Sequence, residues 1–77
     1  MPHGYSQYTV SANKSANGRL LGVALGRVCI AKGVPASAVA DKFGVSRQTV
    51  YNWFGGVHLP RQELTKPISV YITSLSK

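Results

Sequence analysis

Acidic residues are nearly missing from this chain. Only Asp41 and Glu63 carry side-chain carboxylates, against nine lysines and arginines, and the formal net charge is +7. Those two acids alone offer no carboxylate pair for general acid–base work, and no Ser, His and acid arrangement is suggested, so the sequence does not read as an enzyme. Cysteine is scarce as well. Cys29 has no second cysteine to pair with, which excludes a small secreted scaffold held by disulfides. Lying in the apolar run Val28-Cys29-Ile30, it reads as a small core residue. Two histidines and one distant cysteine fall short of a zinc ligand set, and no metal, cofactor or small-molecule ligand is expected. Long hydrophobic runs are also lacking: the most apolar stretch, Leu20 to Ile30, is interrupted by Arg27 and is far below the roughly 20 residues a membrane span needs. The opening MPHGYSQYTV has neither the basic start nor the apolar stretch of a signal peptide. The expectation is a reducing, cytoplasmic compartment and no membrane partner.

What remains is enough to fold. Hydrophobic residues make up 44% of the chain and charged residues 14%, a balance that fits one small domain with a modest core. The positive field of so basic a surface attracts phosphate or anionic lipid, and double-stranded DNA is the leading partner.

Residues 1–15 are polar, with Pro2, Gly4 and several Ser and Asn, and they keep no sustained period; they read as a flexible arm ahead of a domain at 16–77. Lys14 and Arg19 could follow a DNA backbone or groove, or the segment could be an untethered terminus. From Asn17 to Lys32 the pattern is helical. Leu21, Ala24 or Leu25, and Val28 recur at three- and four-residue steps, with Arg19, Arg27 and Lys32 toward solvent. Asn17 is placed to cap this helix, and Gly33 followed by Pro35 to stop it. Gly18, Gly22 and Gly26 form a smooth stripe that another helix can approach closely, at about 1 kcal/mol of helix stability per interior glycine. A second short helix spans Ser37 to Phe43 and closes at Gly44-Val45. Ser46 then caps a third from Arg47 to Phe54, its hydroxyl accepting from the free N–H groups of the first turn. Gly55-Gly56 ends that helix and Val57 to Pro60 is a loop. Near the end, Ile68, Tyr71, Ile72 and Leu75 fit a helical stripe, whereas Ile68, Val70 and Ile72 fit strand alternation; Pro67, suited to a first turn, favours the helix, and its stripe is expected to complete the core and to offer a dimer contact.

The window Ala36 to Gly55 has the length of a helix-turn-helix. Two helices crossing over so short a turn need a small residue at the closest approach, which Ala40 supplies, and a left-handed residue at the turn, which Gly44 supplies. Val39, Phe43, Val45, Val50 and Trp53 then fall on the inward side. With Val50 and Trp53 turned inward, helical geometry sends Arg47, Gln48, Tyr51 and Asn52 outward, with Ser46 and Thr49 at the edge.

These residues resemble the helix-turn-helix of the lambda-repressor-like family, which includes the Cro and Xre-type regulators of phages and bacteria. The likeness extends back to the helix beginning at Asn17 and forward through FGGVHLPR to the last helical pattern. It implies an all-α fold of four or five helices, with a recognition helix whose start enters the major groove, in a transcriptional regulator acting as a homodimer on an operator-like site. On that reading Ser46, Arg47, Gln48 and Asn52 read bases: Gln48 suits a paired contact to adenine N6 and N7, Arg47 suits guanine O6 and N7 or a phosphate, and Asn52 suits either purpose. Thr49 and Tyr51 complete the exposed helix, Tyr51 offering a hydroxyl to phosphate, a ring to a thymine methyl, or plain surface packing. Phosphate contacts fall to the N-terminus of the helix at Ser37 and to Lys32, Lys42 and Arg61. Two other readings stand beside it: an accessory or architectural DNA binder of the recombination-directionality type, and a basic protein that binds an acidic host protein.

Overall fold

The computed structural model describes residues 5–77. Five α-helices follow one another: α1 Gln7–Ser15, α2 Leu21–Lys32, α3 Ala36–Phe43, α4 Arg47–Phe54 and α5 Thr65–Leu75, with a 3-10 turn at Gln62–Leu64 ahead of α5. The fold is all-α, and among the described residues no strand forms. The C-terminal segment is helical, with Pro67 in its first turn as expected.

The core is built around α2. Gly22, Leu25, Gly26 and Cys29, related by three- and four-residue steps along a single face, are all buried, and this face meets α4 and α5. Of the expected stripe of Leu21, Ala24 or Leu25, and Val28, Leu25 is fully buried, while Leu21, Ala24 and Val28 lie to one side and are half-buried. The shift has a steric cause: the bare glycines let α4 come in on their own side. A Cβ on Gly22 would stand 2.8 Å from both the Cβ and the carbonyl oxygen of Trp53, and one on Gly26 would stand 2.7 Å from Phe54 Cγ and from Asn13 Nδ2. Around this contact Val39, Ala40, Val50, Trp53, Phe54 and Ile68 close the core, with Phe43, Val45, Tyr71, Ile72 and Leu75 packed against it. Burial pushes the Cys29 thiol up to about 11, so it stays protonated and unreactive at neutral pH.

The turn between α3 and α4 follows the expected chemistry. Gly44 sits at φ 67°, where an L side chain is strained; its N–H donates to the Ala40 carbonyl, and Val45 N–H reaches the same oxygen at 3.0 Å. Ser46 Oγ accepts from Thr49 N–H at 3.1 Å and caps α4.

The N-terminal segment corrects the expectation of a flexible arm. Pro2 and Gly4 lie outside the described residues, but Gln7 to Ser15 form α1, capped by Ser6, whose Oγ accepts from Thr9 N–H at 3.2 Å. Three ties hold it. Asn13, only 2% exposed, donates through Nδ2 to the carbonyl of Val23 in α2 at 3.1 Å and to that of Phe54 in α4 at 2.8 Å. Tyr5 donates its hydroxyl to the Val34 carbonyl and packs its ring against Tyr51 and Phe54. Arg27, expected to face solvent, stays exposed yet donates from Nη2 to the Ala16 carbonyl at 3.0 Å and the Lys14 carbonyl at 3.4 Å, beside the end of α1 where a cation is favoured. Asn17 caps a turn rather than α2, its Oδ1 accepting from Arg19 N–H at 3.0 Å, and α2 begins only at Leu21.

Two outcomes follow in denaturant titrations. Asn13→Ala leaves the Phe54 carbonyl without its donor and should cost about 1–3 kcal/mol. Ala40→Leu places a larger side chain at a site only 5% exposed in the native core. Overpacking there should cost roughly 1–3 kcal/mol or more; an unchanged melting temperature would mean that Ala40 does not lie at a tight contact.

Candidate nucleic-acid interface

Helix α4 is anchored on its inner side by Val50, Trp53 and Phe54, all buried. With three residues of eight carrying the anchor, the opposite side has one packing contact among the described residues, that of Tyr51 with Tyr5. Arg47, Gln48 and Tyr51 are exposed, and Thr49 and Asn52 are half-buried at the flanks. The expected outward set is therefore presented together on one helix.

Its polar groups are already ordered. Gln48 Nε2 donates to Asn52 Oδ1 at 3.1 Å across one turn. The bond leaves Gln48 its Oε1 acceptor and one further N–H, and leaves Asn52 both amide hydrogens. An acceptor and a donor side by side on Gln48 are what a paired contact to an adenine edge uses. Ser46 is engaged differently: besides capping, its Oγ pairs with Thr49 Oγ1 at 3.0 Å, so these two hydroxyls fix the start of the helix. Arg47, the first residue of α4, extends from the point where the unpaired N–H groups favour an anion.

The far end of α4 is satisfied carbonyl by carbonyl. Gly55 N–H donates to Tyr51 at 3.0 Å, Gly56 N–H to Trp53 at 3.1 Å and Val57 N–H to Asn52 at 2.9 Å, the pattern of a Schellman cap. The last carbonyl, Phe54, is the one taken by Asn13. No buried side-chain nitrogen or oxygen among the described residues is left without a partner.

Sequence reasoning missed a wall of this site. Tyr8, Thr9 and Ala12 of α1 face Gln48, Tyr51 and Asn52 across a cleft of about 130 Å³, closed at its end by Gly55 and Val57. Tyr8 is 83% exposed. Its signal was the Ser6–Thr9 cap, because α1 packs through Asn13 and the small Ala12 and shows no apolar period.

The expected phosphate contacts are scattered. Lys32 is exposed in the last turn of α2, Arg61 is exposed just before the 3-10 turn, and Ser37 is half-buried in the first turn of α3, which begins without a side-chain cap. Lys42 is turned toward α5 instead: its Nζ lies 4.9 Å from the centre of the Tyr71 ring. The ring's negative face attracts the ammonium, which explains the direction. All nine lysines and arginines are exposed. Among the described residues no group of three or more His, Cys, Asp or Glu could hold a metal ion, and no helix is long and apolar enough to cross a membrane.

Searches of curated proteins and of solved structures returned no match. A family of homeodomain-like domains does match, over residues 19–57, just over half of the chain. That span takes in α2, α3, the turn at Gly44 and the whole of α4. With two helices joined by a capped turn and a third element supporting them, the chain belongs to the homeodomain-like helix-turn-helix family.

Proposed function

We propose that the chain is a sequence-specific transcriptional regulator, a small Cro-like repressor of phage or bacterial origin, working in the cytoplasm on an operator-like duplex. The observation that carries this reading is the outer face of α4, where Arg47 and Gln48 stand exposed at the front of a helix-turn-helix and Gln48 is hydrogen-bonded to the half-buried Asn52. Base reading falls to Arg47, Gln48 and Asn52, with Ser46 and Thr49 holding the helix start and Tyr51 and Tyr8 flanking it. Lys32, Arg61 and the uncapped start of α3 at Ser37 supply phosphate contacts, which position the domain without reading sequence. Lys42 contributes only if it leaves Tyr71.

A homodimer on DNA belongs to the same proposal. The body measures 31 × 24 × 22 Å, a size that lets two copies sit side by side on successive major grooves about 34 Å apart. Of the α5 stripe, Ile68 is wholly inside the core and cannot reach a second copy, while Tyr71, Ile72 and Leu75 pack against the core and keep part of their surface for such a contact.

Selection from a random duplex pool should return a palindromic consensus, and an unstructured pool of sequences would overturn the specificity. On the selected site, Gln48→Ala should weaken binding by roughly 1–3 kcal/mol while changing affinity for random duplex little. Arg61→Ala should weaken both duplexes alike and make the dependence of log affinity on log salt shallower by about one. Equal weakening of both duplexes by Gln48→Ala would remove it from the base edges.

A further inference from the structure

Helix α5 carries an apolar residue on the side that the core does not use. Ile68 is buried and Tyr71, Ile72 and Leu75 lean on the core, so the opposite face should be polar. Ser69, Thr73 and Ser74 obey this; Val70 does not, and it is 61% exposed. It stands in a groove of about 550 Å³ whose floor is Pro67, Val70 and one side of Tyr71, and whose rim is Lys42, Lys66 and Ser74. A shallower depression of about 310 Å³ continues past Val70 and Ser74 to Lys77. Neither depression is lined by an Asp or Glu. Lys42 also keeps its ammonium over the Tyr71 ring, so the charge stands at the edge of the apolar floor rather than away from it.

Charge selects the occupant. A second copy of this chain, itself +7 with two acidic side chains, would set its own Lys42, Lys66 and Lys77 against these. Duplex DNA would match the lysines but lay a polar backbone on Pro67 and Val70, where exclusion of water is the available gain. One chemistry satisfies floor and rim together: a protein segment that seats an aliphatic or aromatic side chain on Val70 and Pro67 with Asp or Glu on either side of it. We propose that the outer face of α5 docks such an acidic, amphipathic segment of a partner protein. The groove shares no residue with the cleft beside α4, so docking is compatible with an occupied α4 and does not rest on the DNA reading.

The test begins with random-peptide display on the full chain. Selected peptides should share apolar residues bracketed by Asp or Glu. One of them, fluorescently labelled and titrated by anisotropy, should bind the Val70→Asp and Lys66→Glu proteins at least about tenfold more weakly than the native protein, and its affinity should fall as salt rises. Val70 and Lys66 are both exposed, and circular dichroism checks that each variant is folded. Val70→Ser, which removes the apolar contact without adding charge, should also weaken binding. Selection that yields no peptide, peptides without acidic residues, or peptides that bind Val70→Asp as tightly as the native protein would overturn the proposal. So would sedimentation showing self-association that Val70→Asp abolishes, which assigns the face to a second copy, or a loss of duplex affinity in the charge-neutral Val70→Ser, which assigns it to nucleic acid.

Discussion

The side-chain amide of Asn13, seated where Gly26 has no side chain, joins three helices at one point. A buried amide without partners is costly, and this one is satisfied by donating to α2 at Val23 and to α4 at Phe54. The space for it exists because a Cβ on Gly26 would collide with Asn13 and Phe54 together. The same absence of a side chain lets the Phe54 ring reach the interior. Gly26, with Gly22 against Trp53, therefore sets the separation of α2 and α4, and Gly26 also sets the seat of α1; the direction in which α4 presents its outer face depends on all of them.

This division of labour separates stability from recognition. The inner side of α4 carries Val50, Trp53 and Phe54, and its ends are finished by Ser46 in front and by the glycine cap with Asn13 behind. Among the described residues, only Tyr51 on the outer side takes part in packing, through its edge contact with Tyr5. Gln48 and Asn52 bond to each other instead of to the core, so their remaining donors and acceptors stay in the solvent layer that a nucleic-acid edge would occupy. The positive charge is distributed in the same spirit, all of it on exposed side chains and none spent in the interior.

The helix-turn-helix was legible because its constraints are local. A small residue at 40, a left-handed glycine at 44 and a capping serine at 46 are each dictated within a few residues of the chain. The glycine stripe of α2 was legible for the same reason, although which side of it would be buried was not; that was decided by Trp53 and Phe54, far along the sequence. Helix α1 escaped notice because its anchor is polar. Periodicity arguments look for apolar repeats, and Asn13 is invisible to them although it is the buried residue of that helix. Lys42 shows a different limit: a basic residue ahead of a recognition helix suggests phosphate, and its position beside Tyr71 is visible only once the fold brings α5 close to it. The outward set on α4 followed from helical geometry once Val50 and Trp53 were placed inside, while its partnership with Tyr8 and Thr9 needed the docking of α1.

The bond from Asn13 to Phe54 spans 41 positions, and it bears on where this domain can be cut. The family resemblance runs from 19 to 57, and a fragment trimmed to those limits would contain every residue of the helix-turn-helix. It would nonetheless lose the donor to the last carbonyl of α4, the tyrosine laid against Phe54, and the buried Ile68 of α5. The unit that resembles other proteins is thus smaller than the unit that shares one core, and the helices flanking the resemblance act as its walls.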